Sequence, residues 1–302
     1  MRSRPKSHVG KFHFYLLAFG LSSFALHAQT TNPPTRLPEV TVRGEVRGLN
    51  EEARVGPYEQ PEWTTQRRFP TTRVYVQRQP WKVSFEQWWR GRFFRDGSDG
   101  HLLQEELSLG LPYRFQFDLY ENWVVDDHGD VDHHDVATEL RWALADWGKI
   151  PLNPTLYGEW KFVDGSQGSD VFELKVLLGE ELAPRWHWGL NLIYEQETGG
   201  GRAAEWAWSQ GVSYTLQDQR WGLGVEMKFS HETEEGSRGD AEIKFLLGPS
   251  LQWRPTQRTH LDIVPLIGAT HDAPRVEAFV VFGFDFGRVK GQQYAPASTR
   301  SK

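Results

Sequence analysis

Cysteine is absent from the 302 residues of the sequence. Its absence excludes disulfide bridges, thiolate metal sites and cysteine nucleophiles. A P-loop, a dinucleotide-binding fingerprint and a G-x-S-x-G turn are absent as well, and these motifs mark large classes of nucleotide-dependent enzymes and serine hydrolases. We therefore predict that the chain is not an enzyme.

Positive charge is in deficit. The sequence has 40 acidic against 34 basic side chains, and four of the basic ones lie within the first eleven residues, which contain no acid. An apolar stretch at 12–26 follows and ends just before Ala28, which is the pattern of a secretory signal. We predict that residues 1–28 are a cleavable signal peptide. The remaining chain, with 30 basic and 40 acidic side chains, is too acidic for nucleic acid to be an expected partner.

A second long apolar run is absent, and the mean hydropathy is −0.59, which excludes a bundle of membrane-spanning helices. Aromatic residues are nevertheless abundant, at 14% of the chain with 14 tryptophans. A chain that is polar on average yet rich in aromatic side chains is typical of a transmembrane β-barrel, because its lumen-facing residues alternate with lipid-facing ones.

Period-two alternation of apolar and polar residues begins at Trp81. In Trp221–Phe229, for example, five apolar side chains share one face, and Glu226 and Lys228 lie on the other. The sequence therefore predicts an all-β fold, a closed transmembrane antiparallel up-and-down barrel of about twelve strands over residues 81–286. The predicted strands are 81–93, 102–110, 114–125, 135–145, 154–163, 170–182, 186–195, 203–216, 221–231, 240–253, 259–268 and 275–286.

Prolines set the region before the barrel apart. Seven prolines between positions 33 and 80 interrupt any regular element, and we predict that residues 29–80 form a loosely ordered periplasmic extension. Residues 287–302 follow the last strand and are predicted to be a flexible tail.

Short turns alternate with longer, acidic loops along the predicted barrel. Gly110–Arg114 and Ala183–Arg185 are tight, whereas Asp164–Asp170 and Glu232–Asp240 are longer and rich in Gly and in acidic residues. Barrels of this kind place short turns in the periplasm, so an even strand count puts both termini there. Tryptophans beside the short turns are expected at the membrane interface: Trp81, Trp147, Trp186, Trp188, Trp221 and Trp253.

The region 81–286 resembles Gram-negative outer-membrane β-barrel proteins of a porin-like type. The resemblance rests on tight turns with an arginine before an aromatic strand start, as in Pro184–Trp186, and on the aromatic strand end Phe282–Phe286. It implies location in the bacterial outer membrane after Sec-type export, contact with membrane lipid and lipopolysaccharide, and insertion by the barrel assembly machinery. The sequence departs from the usual terminal signal, because sixteen residues follow Phe286.

The segment at 37–42 reads Leu-Pro-Glu-Val-Thr-Val and resembles the TonB box of energised receptors. The resemblance implies that Glu39, Val40, Thr41 and Val42 form a strand that binds a periplasmic partner by β-augmentation. The sequence departs from those receptors, because only about 50 residues separate the signal from the barrel, too few for their plug domain.

Charged residues on the polar strand faces come in pairs two positions apart, with the acid first. Residues two apart in a strand point to the same side, here the lumen. Because neighbouring strands are antiparallel, pairs at one height would bring acid opposite base in a checkerboard, worth roughly 0.2–1 kcal/mol per opposed pair. The predicted lumen ion-pair lattice consists of Glu139, Arg141, Glu159, Lys161, Glu173, Lys175, Glu226, Lys228, Glu242 and Lys244.

One predicted outer loop concentrates carboxylates and imidazoles. Transition metals prefer imidazole, and hard cations prefer carboxylates, so a divalent cation could bind here, although no cofactor is otherwise expected. A solvated acidic loop is the simpler interpretation. The candidate ligands are Asp126, Asp127, His128, Asp130, Asp132, His133, His134 and Asp135.

These features predict an outer-membrane barrel that acts as a narrow channel for a small polar or cationic solute. Two alternatives stay open: a sealed barrel serving as a structural or metal- or ligand-binding surface protein, and an outer-membrane hydrolase. The same residues would face inwards whether the ion-pair lattice fills the barrel or only lines a constriction. The sequence therefore leaves the choice between a channel and a sealed barrel open.

Overall fold

The computed structural model describes residues 51–126, 129–216 and 220–286. Two short strands and a 3-10 helix, β1 (Arg54–Val55), β2 (Gln60–Pro61) and Glu62–Thr65, precede the barrel. The barrel strands are β3 (Val83–Phe93), β4 (Asp99–Leu111), β5 (Phe115–Val125), β6 (Val131–Ala143), β7 (Thr155–Val163), β8 (Val171–Ala183), β9 (Trp186–Glu197), β10 (Ala204–Thr215), β11 (Trp221–Thr233), β12 (Glu242–Trp253), β13 (Thr259–Gly268) and β14 (Val276–Asp285).

Each barrel strand pairs antiparallel with the next in the chain, and β14 pairs with β3 to close the ring. The predicted closed, all-β barrel of twelve strands is confirmed. Period-two alternation places the side chains as expected: in β11, Leu223 and Val225 are about half exposed on the outside, whereas Glu226 is buried inside. Several strands are longer than predicted, and β6 begins at Val131 rather than at 135.

Large apolar side chains cover the outside of the barrel. In water such a continuous apolar band would aggregate, and it is the surface that a transmembrane barrel presents to lipid. No helix within 51–126, 129–216 and 220–286 is long and apolar enough to span a membrane. Exposed outward residues include Leu107, Phe117, Leu140, Leu156, Leu174, Leu192, Leu223, Val225, Leu247, Ile263 and Phe282.

The two ends of the barrel differ in their connections. We call the end with connections 112–114, 144–154, 184–185, 216–220 and 254–258 the turn end, and the other the loop end. Most turn-end connections are tight, as predicted, but 144–154 is the longest of the barrel. The other connections of this region lie at the loop end: 94–98, 126–130, 164–170, 198–203, 234–241 and 269–275.

Residues 51–82, which we call the lumen segment, enter the barrel, where residues 60–80 lie in the lumen with none of them exposed, and this corrects the prediction of a loosely ordered extension. The segment begins and ends at the turn end, where Arg254 bonds to Glu51 and the Trp81 amide donates to Gly110. Phe69 and Val76 are fully buried. Residues 66–80 form no regular element, but they are ordered by packing on the wall, which leaves no periodic pattern in the sequence.

The remaining predictions for the chain ends fall on residues outside the described ranges. These are the signal peptide at 1–28, the first part of the extension, the candidate partner-binding residues Glu39, Val40, Thr41 and Val42, and the tail at 287–302.

The tryptophan prediction needs one correction. Trp81, Trp186, Trp221 and Trp253 are exposed at the turn end, with Trp221 stacked on Trp253 at 5.5 Å between ring centroids. Trp147, in contrast, is 5% exposed and packs against the lumen segment. Trp147 of the long connection 144–154 therefore points into the barrel instead of facing the membrane interface.

Candidate functional site

Glycines of the wall make room for the lumen segment. A Cβ on Gly211 would lie 2.5 Å from the Phe69 ring, and one on Gly179 would lie 2.3 Å from the Val74 side chain. Real Cβ atoms do not approach this closely, so any side chain at either position would displace the segment. The wall is therefore shaped to hold this stretch of its own chain.

An aromatic cluster anchors the segment at the turn end. Trp63 and Tyr75 each contact the ring of Trp147 edge-on, at 5.7 and 5.3 Å between centroids. The Tyr75 hydroxyl donates to the Ala145 carbonyl at 2.7 Å. Burial of two or three large aromatic side chains contributes several kcal/mol, at roughly 1.5–3 kcal/mol for a fully buried large apolar side chain. The cluster therefore joins the segment to connection 144–154.

Arginines of the segment are paired with carboxylates of the wall. The Arg67 guanidinium lies 2.5 Å from Glu86 and 2.8 Å from Glu106, and all three side chains are at most 1% exposed. Arg73 also reaches Glu106, with both guanidinium nitrogens at 3.2 Å. Arg78 bonds to Asp285 of β14 at 2.6 Å. These pairs connect the segment to both sides of the β14–β3 closure.

Glu51 forms a second buried ion cluster at the turn end. Its carboxylate lies 2.5 Å from Arg68 of the segment and 2.8 Å from Arg254 of the wall, and it accepts a hydrogen bond from Thr215. Burial acts to raise the pKa of Glu51, but Arg68 and Arg254 outweigh burial and lower the pKa to about 2. Glu51 is therefore held as a carboxylate.

Acidic side chains form a continuous row around the wall, which we call the carboxylate row. Its members occupy directly opposed positions on successive strands, with Ser84 and Ser108 between the first two acids. From the turn end the acids are Asp285, Asp118, Glu139, Glu159, Glu173, Glu195, Glu205, Glu232 and Glu242.

The carboxylate row climbs the barrel. Strands of a barrel are tilted, so a line of opposed residues rises from one strand to the next. Asp118 lies near the turn end of β5, Glu159 lies at the middle of β7, and Glu242 is the loop-end residue of β12. The row therefore runs from the level of the lumen segment to the opposite mouth.

The register overturns the predicted checkerboard. Glu139 faces Glu159, and Glu159 faces Glu173, so acid stands opposite acid. The pairs Glu226/Lys228 and Glu242/Lys244 are also displaced from one another along their strands, because Glu226 faces Gly248. The checkerboard required the pairs to lie at one height, and hairpin register is set by the connections, which differ in length.

Lysines and one arginine nonetheless pair with the row, each with the acid two residues before it on the same strand. Arg141 bonds to Glu139 and lies 2.8 Å from Asp118, both fully buried like itself. The remaining pairs of the predicted lattice are Lys161 at 3.7 Å from Glu159, Lys175 at 2.6 Å from Glu173, and Lys244 at 2.8 Å from Glu242. Lys161 also reaches across β8 to Glu195 of β9 at 2.5 Å, and Lys244 bridges to Glu232 of the neighbouring β11 at 2.7 Å.

Glu226 and Lys228 do not pair with one another. Glu226 accepts hydrogen bonds from the amide and hydroxyl of Thr71 in the lumen segment, at 2.9 and 2.6 Å. Lys228 lines a cavity of about 260 Å³ near the loop end, together with acids of the row such as Glu195 and Glu205. A second cavity of about 530 Å³ lies at the turn end, between the segment and the wall. The lumen segment fills the lumen between these two cavities.

Those candidate metal ligands that the structure describes are not gathered at one point. Val131 to Asp135 belong to β6 and not to a loop, so Asp132 and His133 point to opposite faces. His134 bonds to Asp135 at 2.6 Å, and the Asp130 amide donates to Asp126. Within the described ranges no three acidic or imidazole side chains are arranged to hold a metal ion. Asp127 and His128 lie outside those ranges.

Histidines near the turn end contribute to packing and ion pairing. His260 bonds to Asp262 at 2.6 Å, and its other ring nitrogen lies 3.5 Å from Glu86. His187 is fully buried against the Trp63 ring, at 4.6 Å between centroids. Both are therefore engaged beneath the lumen segment rather than presented to a serine hydroxyl, as a hydrolase would require.

Comparison with known proteins agrees with this fold. No protein-family model and no curated protein matches the sequence. Among solved structures, the chain resembles the NanC porin (12% identity over 68% of this chain and 100% of that one, TM-score 0.48). It also resembles an outer-membrane channel from Pseudomonas putida F1 (10% identity over 69% of this chain and 97% of that one, TM-score 0.51). The chain thus has the fold of bacterial outer-membrane β-barrels.

Proposed function

We propose that this protein is an outer-membrane channel for small cations, closed at rest by its own lumen segment. The carboxylate row carries the proposal, because carboxylates directly opposite one another destabilise a sheet and a purely structural wall has no need of them. The similar fold of the Pseudomonas putida outer-membrane channel supports a channel role. Both termini are then in the periplasm, and the turn end is the periplasmic mouth.

Cations would be drawn along the carboxylate row. A wall lined by charge of one sign, with low-dielectric surroundings, raises the local concentration of the opposite ion. Lys161, Lys175 and Lys244 neutralise part of the row and keep it from binding cations too tightly to release them. The cavity near the loop end, with Glu195 and Glu205 in its lining, is the first site that an entering cation would reach.

The lumen segment supplies the closed state. It occupies the lumen at the level of Asn191, Ser209 and Glu226, all of which bond to it. Its arginines Arg67 and Arg73 neutralise Glu106. When the segment leaves, the lumen widens and the wall gains uncompensated negative charge in the same step, so the open state favours cations.

Single-channel conductance in a planar bilayer under a salt gradient tests the proposal. Refolded residues 29–302 should be closed for most of the time. The double variant Arg67→Gln/Phe69→Ser, which weakens the segment without touching the wall, should open in discrete cation-preferring steps.

Neutralising the row in that variant by Glu159→Gln and Glu173→Gln should lower the preference for cations. Glu121→Gln is the matched control, because Glu121 lies on the outward face of β5, and it should leave selectivity unchanged. A folded, inserted double variant that never conducts would overturn the channel.

A sealed barrel is the second candidate, favoured by the complete burial of Arg67 and Phe69. It would act through its loops and through a periplasmic partner of residues 39–42, and lipopolysaccharide would contact its outer surface. Absence of conductance in the folded, inserted double variant would favour this candidate over the channel.

A further inference from the structure

The lumen segment is bound as a peptide ligand is bound. Residues 66–80 form no strand pair with the wall. Wall side chains take over the role of a partner strand instead: Asn191 accepts from the Arg73 amide and donates to the Arg73 carbonyl, both at 2.7 Å. Gln116 accepts from the amides of Gln77 and Arg78 at 2.7 and 2.9 Å.

Three further strands bind the backbone of the same stretch. Ser209 of β10 donates to the Thr71 carbonyl at 2.8 Å, Glu226 of β11 accepts from the Thr71 amide, and Gln252 of β12 donates to the Arg67 carbonyl. Hydrogen bonds to main-chain groups do not depend on which side chain a residue carries. This part of the site therefore recognises an extended chain as such.

Arginine is recognised separately, at three places. The first holds Arg67 between Glu86 and Glu106 with its guanidinium 4.3 Å from the centre of the Trp88 ring. The second holds Arg73 on Glu106, with a hydrogen bond to the Tyr120 hydroxyl at 2.8 Å.

The third arginine position holds Arg78 on Asp285. Paired hydrogen bonds to a carboxylate and stacking on an aromatic face are the contacts that distinguish guanidinium from ammonium. Lysine would not replace arginine at the first two positions without loss.

We propose that the vacated lumen binds an extended peptide that carries arginines at the spacing of Arg67, Arg73 and Arg78, and that the lumen segment is the tethered occupant of this peptide site. The inference rests on the proposed function in one respect, that the segment can leave the lumen. The ligand is a second, free chain of the same chemistry, such as an arginine-bearing peptide in the periplasm. This free peptide would occupy the lumen while the lumen segment is displaced from it.

Fluorescence anisotropy with a labelled synthetic peptide of residues 64–80 tests the inference. The receptor is refolded residues 29–302 with Arg67→Ser, Phe69→Ser and Arg73→Ser, which weaken the tethered copy and leave the wall intact. We expect saturable binding, and binding at least about tenfold weaker to the wild-type chain, because a tethered occupant competes at an effective concentration near millimolar.

Two comparisons make the test specific. A peptide with glutamine at 67, 73 and 78 should bind about a hundredfold more weakly, because each buried carboxylate loses its partner. Asn191→Ala in the weakened chain should also reduce binding, whereas Glu121→Gln on the outward face should not. Equal binding of the arginine and glutamine peptides, or no binding to a folded receptor, would overturn the inference.

Conductance of the same weakened chain separates this inference from the channel. Cation conductance without peptide binding would leave the channel standing and remove the peptide site. Peptide binding by a chain that never conducts would leave the peptide site standing and remove the channel. If both hold, the arginine peptide should block the open conductance, and the glutamine peptide should not.

Discussion

Arg67 illustrates how a single side chain holds the lumen closed. Its two partners, Glu86 and Glu106, are directly opposed in the β3–β4 pair, and each is buried. Two buried carboxylates that face each other require a positive charge beside them. The Arg67 guanidinium supplies it, and Arg67 belongs to the lumen segment and not to the barrel wall. The residue that neutralises the wall is thus also the residue that blocks it.

Replacing this arginine should loosen the segment rather than unfold the barrel. Removing one partner of a buried ion pair costs about 3–5 kcal/mol, so Arg67→Gln should raise the rate of native-state proteolysis within 60–80 by two or more orders of magnitude. Arg54→Gln is the matched control, since Arg54 pairs with Glu181 but is half exposed, and surface pairs contribute about 0–1 kcal/mol. Equal rates for the two variants would contradict the assigned role of Arg67.

Glu51 gives the attachment of the segment a pH dependence. Burial opposes ionisation, but Arg68 and Arg254 lower the pKa from 4.5 to about 2. A carboxyl whose folded pKa is depressed stabilises the folded state above the unfolded pKa and loses that contribution as the pH falls through the folded one. The stabilisation is therefore complete above pH 4.5 and is lost on acidification towards pH 2.

Digestion by an acid protease at a series of pH values measures this effect. Cleavage within 51–82 should accelerate as the pH falls from 4.5 to 2 in the wild-type chain. In Glu51→Gln it should be faster at every pH, and this part of its pH dependence should be absent. An unchanged pH profile in the variant would show that another group controls attachment.

The buried part of the lumen segment, residues 60–80, should be inaccessible to protease in the intact protein. Arg67, Arg68 and Arg78 are at most 5% exposed, whereas the Arg54 side chain is half exposed. Trypsin added to the refolded protein should cut after Arg54 and spare the other three, as read by mass spectrometry of the fragments. Rapid cleavage after Arg67 or Arg68 would mean that the segment lies outside the lumen in solution.

The strands could be predicted from the sequence and the lumen segment could not, for one physical reason. A strand with lipid on one side and lumen on the other must alternate, and β11 and β14 show that alternation clearly. The backbone of residues 66–80 is bound by side chains of five different strands, among them Asn191 and Gln252, and such long-range contacts leave no local pattern.

A weaker signal of the segment was nevertheless present. Gly179, Gly189 and Gly211 occupy inward positions of three successive strands, and glycine within a strand often marks a close approach of another backbone. Four arginines between 67 and 78 supplied the matching charge. The register of the carboxylate row had no such signal, because it depends on the connections between strands.

At the scale of the whole molecule, one part of the outer surface departs from the apolar band. Glu105 and Glu121 stand directly opposite each other on outward positions of β4 and β5, and Gln87 donates to Glu105 at 3.0 Å. Charged side chains on the lipid face destabilise a barrel, acids less than bases, and opposed like charges add to the cost.

Removing one of these charges should therefore stabilise the inserted barrel. We expect Glu121→Leu to raise the free energy of unfolding in lipid by about 1 kcal/mol, measured by denaturant titration in vesicles, with no change in conductance. A loss of stability would instead reveal a polar partner on this face. Leu119→Ala on the same strand, where Leu119 is an exposed outward residue, controls for general effects on lipid contact.

The path of the lumen segment sets an order of folding. Residues 51–82 precede every barrel strand in the chain, yet Arg67 bonds to Gln252 and Arg78 to Asp285 of the final strands. The contact with Asp285 cannot form until the last hairpin is in place. Because the segment enters and leaves by the same mouth, no chain end has to be threaded through the ring. The lumen segment, which is synthesised before the barrel strands, can thus be the last part of the described chain to reach its native position, and the ring of strands is complete before its lumen is filled.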